Sequence, residues 1–253
     1  MIYVIGDSHT RSFANNHNFF PLFIGPGKEM CFISDAHLNE LKKRVSAALK
    51  NLEDNAPVLF VLGEPDTRYY LGKGWTPWEP VTSEEIAEPF ELLSRSAQRY
   101  GDFLTWAKKN FNIQILVFNI TPSERIQQNK YVDCFNKKLR IICSNNKIPF
   151  IDIMEDIMNH DSIKSQFMAD VVHLDLSVQP LIEEKIKQAG FELDVSEHVY
   201  HRNSKTLQSD FLYECKCKVM ILRAHKILIR QLKTCVILEL HMFLTLYPKV
   251  NLD

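Results

Sequence analysis

The sequence predicts a three-layer α/β fold over residues 1–195, in which helices cover both faces of a parallel sheet of about five strands. Short, β-branched apolar segments alternate along the chain with longer segments whose apolar residues recur at helical spacing. The apolar segments end at glycine or polar turns. Because helix-length crossovers separate them, we expect the strands to pair in parallel and to be buried on both faces.

Four strands are strongly indicated and a fifth more weakly. The strong segments are residues 2–5, 57–62, 113–120 and 148–153, and the weaker one is 30–33. Helices are expected over residues 38–52, 131–144 and 178–189, and from an N-cap at Ser83 towards residue 109. This order of elements is typical of a flavodoxin-like domain.

The composition changes after about residue 195. Residues 201–253 contain nine Lys and Arg residues but only four Asp and Glu residues. At helical spacing, five of the cations would fall within about a 100° sector and leave a wide apolar face: Lys216, Arg223, Lys226, Arg230 and Lys233. We therefore expect a mainly helical C-terminal extension over residues 196–253. Its apolar face would pack on the first domain or on a second copy of the chain, the latter giving a homo-oligomer; the remaining alternative is an anionic membrane surface.

The overall composition is that of an ordinary globular protein, since 45% of the 253 residues are hydrophobic and 24% are charged. With 30 basic and 31 acidic residues, the charge gives no indication of a nucleic-acid partner. No apolar run approaches the roughly 18 residues of a membrane span, and no signal peptide is visible, so a cytoplasmic location is expected. The six cysteines and nine histidines show no metal-ligand spacing, and no cofactor or metal is predicted.

Two polar motifs lie where parallel strands present their carboxyl ends, which is where ligands bind in such sheets. Ser8 follows the first strand, and Asp170 precedes His173 by three residues after the last strand. A serine needs a base to take its proton, and a carboxylate can orient that base. The alternative is that Ser8 only caps a helix and that His173 is an ordinary, partly buried histidine.

These motifs resemble the first and last blocks of the SGNH/GDSL hydrolase family, with the first at Ile5-Gly6-Asp7-Ser8-His9-Thr10 and the last at Asp170-Val171-Val172-His173. The resemblance implies the family's three-layer fold, with Ser8 as nucleophile, His173 as base and Asp170 as its orienting carboxylate. It also implies an oxyanion hole in which the backbone N–H of Ser8 is joined by that of Gly25 or Gly27.

The third block departs from the family pattern. The family has Gly-x-Asn-Asp, in which the Asn side chain donates to the oxyanion, whereas this chain has Gly63-Glu64-Pro65-Asp66. Pro65 offers neither a side-chain donor nor a backbone N–H. The segment through Arg68 looks like a subgroup with a Gly-Glu-x-Asp-x-Arg pattern. Arg68 is expected to supply the missing donor, held by Glu64 or Asp66, and the alternative is a structural ion pair.

The substrate is expected to be a small-molecule or carbohydrate ester, contacted by Asp7, Glu64, Asp66 and Trp75. Trp75 belongs to an aromatic loop that would either stack on a sugar or acyl group or anchor the loop itself. The sequence thus predicts a serine-dependent acyl ester hydrolase that removes acetyl groups from carbohydrate. Two alternatives stay open: an O-acyltransferase with the same triad, and a non-catalytic ligand-binding or interaction protein.

Overall fold

A computed structural model of the protein describes residues 1–24, 32–50, 52–69 and 89–194, with side chains for all of these except 68, 69 and 89. Its main sheet consists of β1 (Ile2–Gly6), β2 (Phe19–Phe23), β3 (Ala56–Val61), β4 (Ile113–Phe118) and β5 (Phe150–Ile151). The strands are all parallel, in the order β2-β1-β3-β4-β5. The predicted parallel α/β sheet is confirmed.

Helices and short turns connect the strands. The α-helices are α1 (Asp35–Leu49), α2 (Glu64–Tyr69), α3 (Pro89–Asn110), α4 (Ile126–Asn145), α5 (Met154–Ile157) and α6 (Gln179–Gln188). Within the described residues, three 3-10 helices span Ser8–Phe13, Ser165–Phe167 and Leu176–Val178; we call the first the Ser8 helix. A small antiparallel hairpin pairs β6 (Met158–Asn159) with β7 (Ser162–Ile163).

The two faces of the sheet pack into two separate apolar cores, because successive side chains of a strand point to opposite faces. In β3, Val58 and Phe60 join the core that contains residues of α1, α3 and α4. Leu59 and Val61 join the core that contains residues of the Ser8 helix and α6. Both faces of every central strand are thus buried, which explains why these strands are continuous apolar runs in the sequence.

The fifth strand was assigned to the wrong segment. Phe32 and Ile33 form a bend before α1, and Met30 lies outside the described residues; the additional strand is β2 instead. β2 is difficult to recognise in the sequence because it contains Pro21, and proline cannot donate a hydrogen bond to a neighbouring strand. At the sheet edge, where β2 lies, one side of the strand needs no partner, so the proline is tolerated.

Other predicted boundaries differ by a few residues or fall outside the described part. The strand predicted over 148–153 is regular only at Phe150–Ile151. Helix α1 begins earlier than expected because Ser34 caps it, accepting a hydrogen bond from the His37 N–H. The predicted N-cap Ser83 and the C-terminal extension over 196–253 both lie outside the described residues, so these remain predictions.

Candidate active site

Ser8 lies at the carboxyl end of β1, at the start of the Ser8 helix. The preceding Gly6 packs closely on β3, since a Cβ at this position would lie 2.0 Å from the carbonyl oxygen of Val61. Asp7 is buried and caps the Ser8 helix: its Oδ1 accepts a 2.9 Å hydrogen bond from the His9 N–H. The capping carboxylate and the tight strand packing together position a half-buried Ser8 at this edge of the sheet.

The second part of the site is a turn over residues 169–174, which we call the His173 turn. Asp170 folds back over this turn, and its Oδ1 accepts hydrogen bonds from the N–H groups of Val172 at 3.0 Å and His173 at 2.9 Å. The hydroxyl of Ser12, in the Ser8 helix, donates to the carbonyl of Leu174 at 2.9 Å. This bond joins the two segments, which are 165 residues apart at Ser8 and His173.

The structure brings Ser8, His173 and Asp170 into one hydrogen-bonded series. Ser8 Oγ lies 2.9 Å from His173 Nε2. His173 Nδ1 lies 2.9 Å from both carboxylate oxygens of Asp170. Because an ionised carboxylate only accepts hydrogen bonds, Nδ1 carries the proton, and Nε2 is left to accept the hydroxyl proton of Ser8. The arrangement has the geometry of a nucleophile, a base and an orienting group.

The surroundings set the protonation states of this series. The pKa of His173 is lowered to about 4: burial is the largest cause, the nearby His9 and Arg11 act in the same direction, and Asp170 opposes them through its hydrogen bond and its charge. Burial alone would raise the pKa of Asp170, but hydrogen bonds from the His173 ring, the Val172 N–H and Arg11 hold it well below its usual value. Near neutral pH, His173 is therefore an unprotonated base beside an ionised carboxylate.

A second histidine, which the sequence reasoning did not include in the site, packs on His173. The ring centroids of His9 and His173 are 4.6 Å apart. His9 Nε2 lies 3.2 Å from Glu64 Oε2, and its Nδ1 lies 3.0 Å from Thr121 Oγ1. Glu64 Oε1 in turn accepts a 2.9 Å hydrogen bond from the Gln128 side chain. A buried network thus fixes the ring against which the candidate base lies.

Arg11 is the other residue that the sequence reasoning missed. It is buried, and its Nη2 donates to Asp170 Oδ2. Ser8 and Arg11 are three residues apart, and a 3-10 helix has about three residues per turn, so both lie on the same side of the Ser8 helix. The signal in the sequence is the three-residue spacing from Ser8, which places both side chains on one side of any helix that begins at Ser8.

The third sequence block, Gly63-Glu64-Pro65-Asp66, is buried inside the protein. Gly63 adopts a φ of 104°, which favours glycine, and Pro65 lies in the first turn of α2, where proline fits well. Glu64 is buried in the His9 network. Asp66 is fully buried, and its Oδ1 accepts a 2.8 Å hydrogen bond from the Phe32 N–H. These placements give Glu64, Asp66 and the helix-capping Asp7 structural contacts, and their expected contacts with a substrate remain predictions.

The remaining predicted positions are Gly25, Gly27, Trp75 and the Arg68 side chain. They lie outside the described residues, so their roles stay predictions. In the part of the chain that the structure describes, no group of three or more His, Cys, Asp or Glu side chains could hold a metal ion. Within the same part, no helix is long and apolar enough to cross a membrane.

Comparisons with known proteins identify the fold. No protein-family model and no curated protein matches the sequence. Solved structures do match. A GDSL-like lipase from Bacteroides thetaiotaomicron has a TM-score of 0.51 and 16% identity, over 74% of this chain and 86% of that one. An acetyl xylan esterase has the same TM-score and identity, over 76% of this chain and 100% of that one.

A third similar structure is a member of the lipolytic G-D-S-L family from Veillonella parvula, with a TM-score of 0.50 and 15% identity, over 74% of this chain and 96% of that one. At such identities the similarity is one of fold. The chain therefore has the fold of the SGNH/GDSL hydrolases, as the first and last sequence blocks indicated. The subgroup suggested by the third block remains a prediction.

Proposed function

We propose that the protein is a serine-dependent acyl ester hydrolase, in which Ser8 is the nucleophile, His173 the general base and Asp170 the residue that orients His173. The observation that carries the proposal is the 2.9 Å distance from Ser8 Oγ to His173 Nε2, continued by the 2.9 Å contacts from Nδ1 to Asp170. The fold shared with known esterases and lipases supports the same class of reaction.

In the proposed reaction, Ser8 Oγ attacks the ester carbonyl carbon while its proton passes to His173 Nε2. The tetrahedral intermediate collapses, the carbon–oxygen bond to the alcohol breaks, and the alcohol leaves with the proton from His173. An acyl group is then bound to Ser8. Water attacks this acyl-enzyme, again giving its proton to His173. The second tetrahedral intermediate collapses, the bond from the acyl carbon to Ser8 Oγ breaks, and His173 returns its proton to Oγ as the carboxylic acid leaves.

The developing oxyanion needs hydrogen-bond donors. Ser8 begins the 3-10 helix, and the first N–H groups of a helix have no partner inside it, so the Ser8 N–H is the first proposed donor. The backbone of Gly25 or Gly27 and the Arg68 side chain are the others. Arg68 would take the place of the Asn side chain that the family has at the position of Pro65.

The proposed substrate is an acetylated carbohydrate, contacted in part by Trp75. If a sugar hydroxyl rather than water attacks the acyl-enzyme, the same residues carry out O-acyl transfer. Pro65 is the observation that favours a non-catalytic alternative, because losing one oxyanion donor can cost about 10²–10³ in rate. In that case the protein would bind an ester or a partner without turning it over.

A fluorophosphonate probe, combined with the hydrolysis of p-nitrophenyl acetate, tests the proposal. We expect the probe to label Ser8, as located by peptide mass, and both labelling and hydrolysis to fall by about 10³-fold or more in Ser8→Ala and His173→Ala. Ser94→Ala, at a half-buried position of α3, is the matched control and should behave as wild type. Equal hydrolysis by wild type and Ser8→Ala would exclude a hydrolase that depends on Ser8.

Adding a sugar acceptor to the same reaction separates the two enzymatic versions. An acetylated sugar as the main product indicates a transferase, whereas free acetate indicates a hydrolase. A folded wild-type protein that is neither labelled nor active, yet binds an acetylated sugar, would support the non-catalytic alternative.

A further inference from the structure

Arg11 brings a positive charge to the outer end of the Ser8–His173–Asp170 series. The Arg11 side chain is only 9% exposed, whereas the Asp170 side chain is 41% exposed. The guanidinium Nη2 donates to Asp170 Oδ2, the oxygen that also contacts His173 Nδ1 at 2.9 Å. Burying an arginine is unfavourable unless the charge is paired, and Asp170 is the carboxylate that Arg11 meets.

The contact is not needed to hold the backbone of the two segments together. Ser12 Oγ already donates to the carbonyl of Leu174 at 2.9 Å, and the Gln179 side chain donates to the carbonyl of Ser12 at 3.0 Å. The His173 turn is closed by its own bond, from the N–H of Ala169 to the carbonyl of His173 at 2.9 Å. Arg11 therefore acts on the position of the Asp170 carboxylate rather than on the backbone of either segment.

We propose that Arg11 is a positioning residue, which fixes the Asp170 carboxylate against His173 and so couples the helix that carries the nucleophile to the far end of the triad. The inference rests on the proposed function for its catalytic consequence. Its structural and electrostatic consequence is independent of any activity. The planar, rigid guanidinium group and permanent charge of arginine suit this task, and the flexible lysine side chain would supply only the charge.

The test follows the titration of His173 and the rate in Arg11→Met and Arg11→Lys. Among the described residues, the charged and titratable groups around His173 are Asp170 on its own turn, Arg11 and His9 on the Ser8 helix, and Glu64 of α2 behind His9. Removing the cation and leaving Asp170 uncompensated both favour the imidazolium. The pKa of His173 should thus rise by about one pH unit in Arg11→Met.

The titration is read by NMR on protein with labelled histidines, with His173→Gln to assign its signal. The N–H groups of Val172 and His173 keep Asp170 beside the ring in Arg11→Met, but the carboxylate loses the contact that fixes its orientation. With p-nitrophenyl acetate as substrate, kcat should therefore fall about tenfold or more while KM stays within about twofold, because the base is held less precisely and the substrate is not affected. Arg11→Lys should keep the titration near that of wild type and show an intermediate kcat. Arg140→Met, which breaks an exposed arginine pair with Asp152, is the matched control and should change neither.

The proposal is overturned if folded Arg11→Met leaves the titration of His173 unchanged, even when the melting temperature or the rate falls. Such a result would mean that Arg11 stabilises the fold without acting on the Asp170–His173 pair. If Arg11→Met does not fold, Arg11→Gln is the neutral variant, and an unchanged titration there has the same meaning. If wild type shows no hydrolysis but the titration moves as expected, the proposed function fails while the positioning role of Arg11 stands.

Discussion

Acidification provides a quantitative test of the environment of His173. In the free enzyme, kcat/KM depends on the fraction of the base that is unprotonated. An exposed histidine, with a pKa near 6.5, would be only about 9% unprotonated at pH 5.5. With its pKa lowered to about 4 by burial, His173 would be about 97% unprotonated at the same pH. We therefore expect kcat/KM to change little between about pH 8 and pH 5.5.

The assay measures the hydrolysis of p-nitrophenyl acetate at a series of pH values, in samples quenched and read at one alkaline pH. Ser8→Ala, measured in parallel, supplies the background. An acid limb with its midpoint near 6.5, in a protein that is still folded, would falsify the reasoning, because it would mean that His173 is as solvated as a histidine in a peptide.

Folding must be followed in the same samples, because the same pKa affects stability. Since the pKa of His173 is lower in the folded state than in the unfolded one, the unfolded state binds more protons between these values. The free energy of unfolding should thus fall as the pH drops from about 6.5 towards about 4, and this contribution should change no further below that. The lowered pKa of Asp170 adds a loss of stability below about pH 4 in the same direction.

Four further substitutions test the packing beneath the site and the third block. Glu64→Ala leaves two buried donors without their acceptor and should lower the free energy of unfolding, measured in urea, by about 2 to 5 kcal/mol. Gly6→Ala places a Cβ 2.0 Å from a backbone oxygen that cannot move alone, so the melting temperature should fall by several degrees or more. Arg68→Ala should lower kcat about 10²-fold with little change in KM, whereas Pro65→Asn should change the rate little.

For each of these substitutions, one result would contradict the expectation. Glu40→Ala, on the exposed surface of α1, is the control for Glu64 and should cost less than about 1 kcal/mol; an equal cost at both positions would mean that the buried network adds nothing. A Gly6→Ala protein as stable as wild type would show that β1 and β3 separate easily. Full activity of a stable Arg68→Ala protein would leave Arg68 as a structural residue, and a large gain in Pro65→Asn would mean that the hole lacks its third donor.

The sequence by itself determined the layers of this fold, because a strand buried on both faces must be apolar throughout and a crossover helix must be amphipathic. It also indicated Ser8, Asp170 and His173, since each lies next to a recognisable strand or helix boundary. It did not reveal β2, because Pro21 is compatible with a strand only at a sheet edge, and edge position is a property of strand order.

Only the tertiary structure decided what surrounds the candidate triad. β1 pairs with β3, and the pairing of Gly6 with Val61 brings the chain after each strand to the same place. His9 meets Glu64 across 55 residues, and Arg11 meets Asp170 across 159, at these neighbouring strand ends and turns. Hydrophobic periodicity shows which residues are buried but carries no information about strand order, so the partners of buried polar side chains cannot be derived from it.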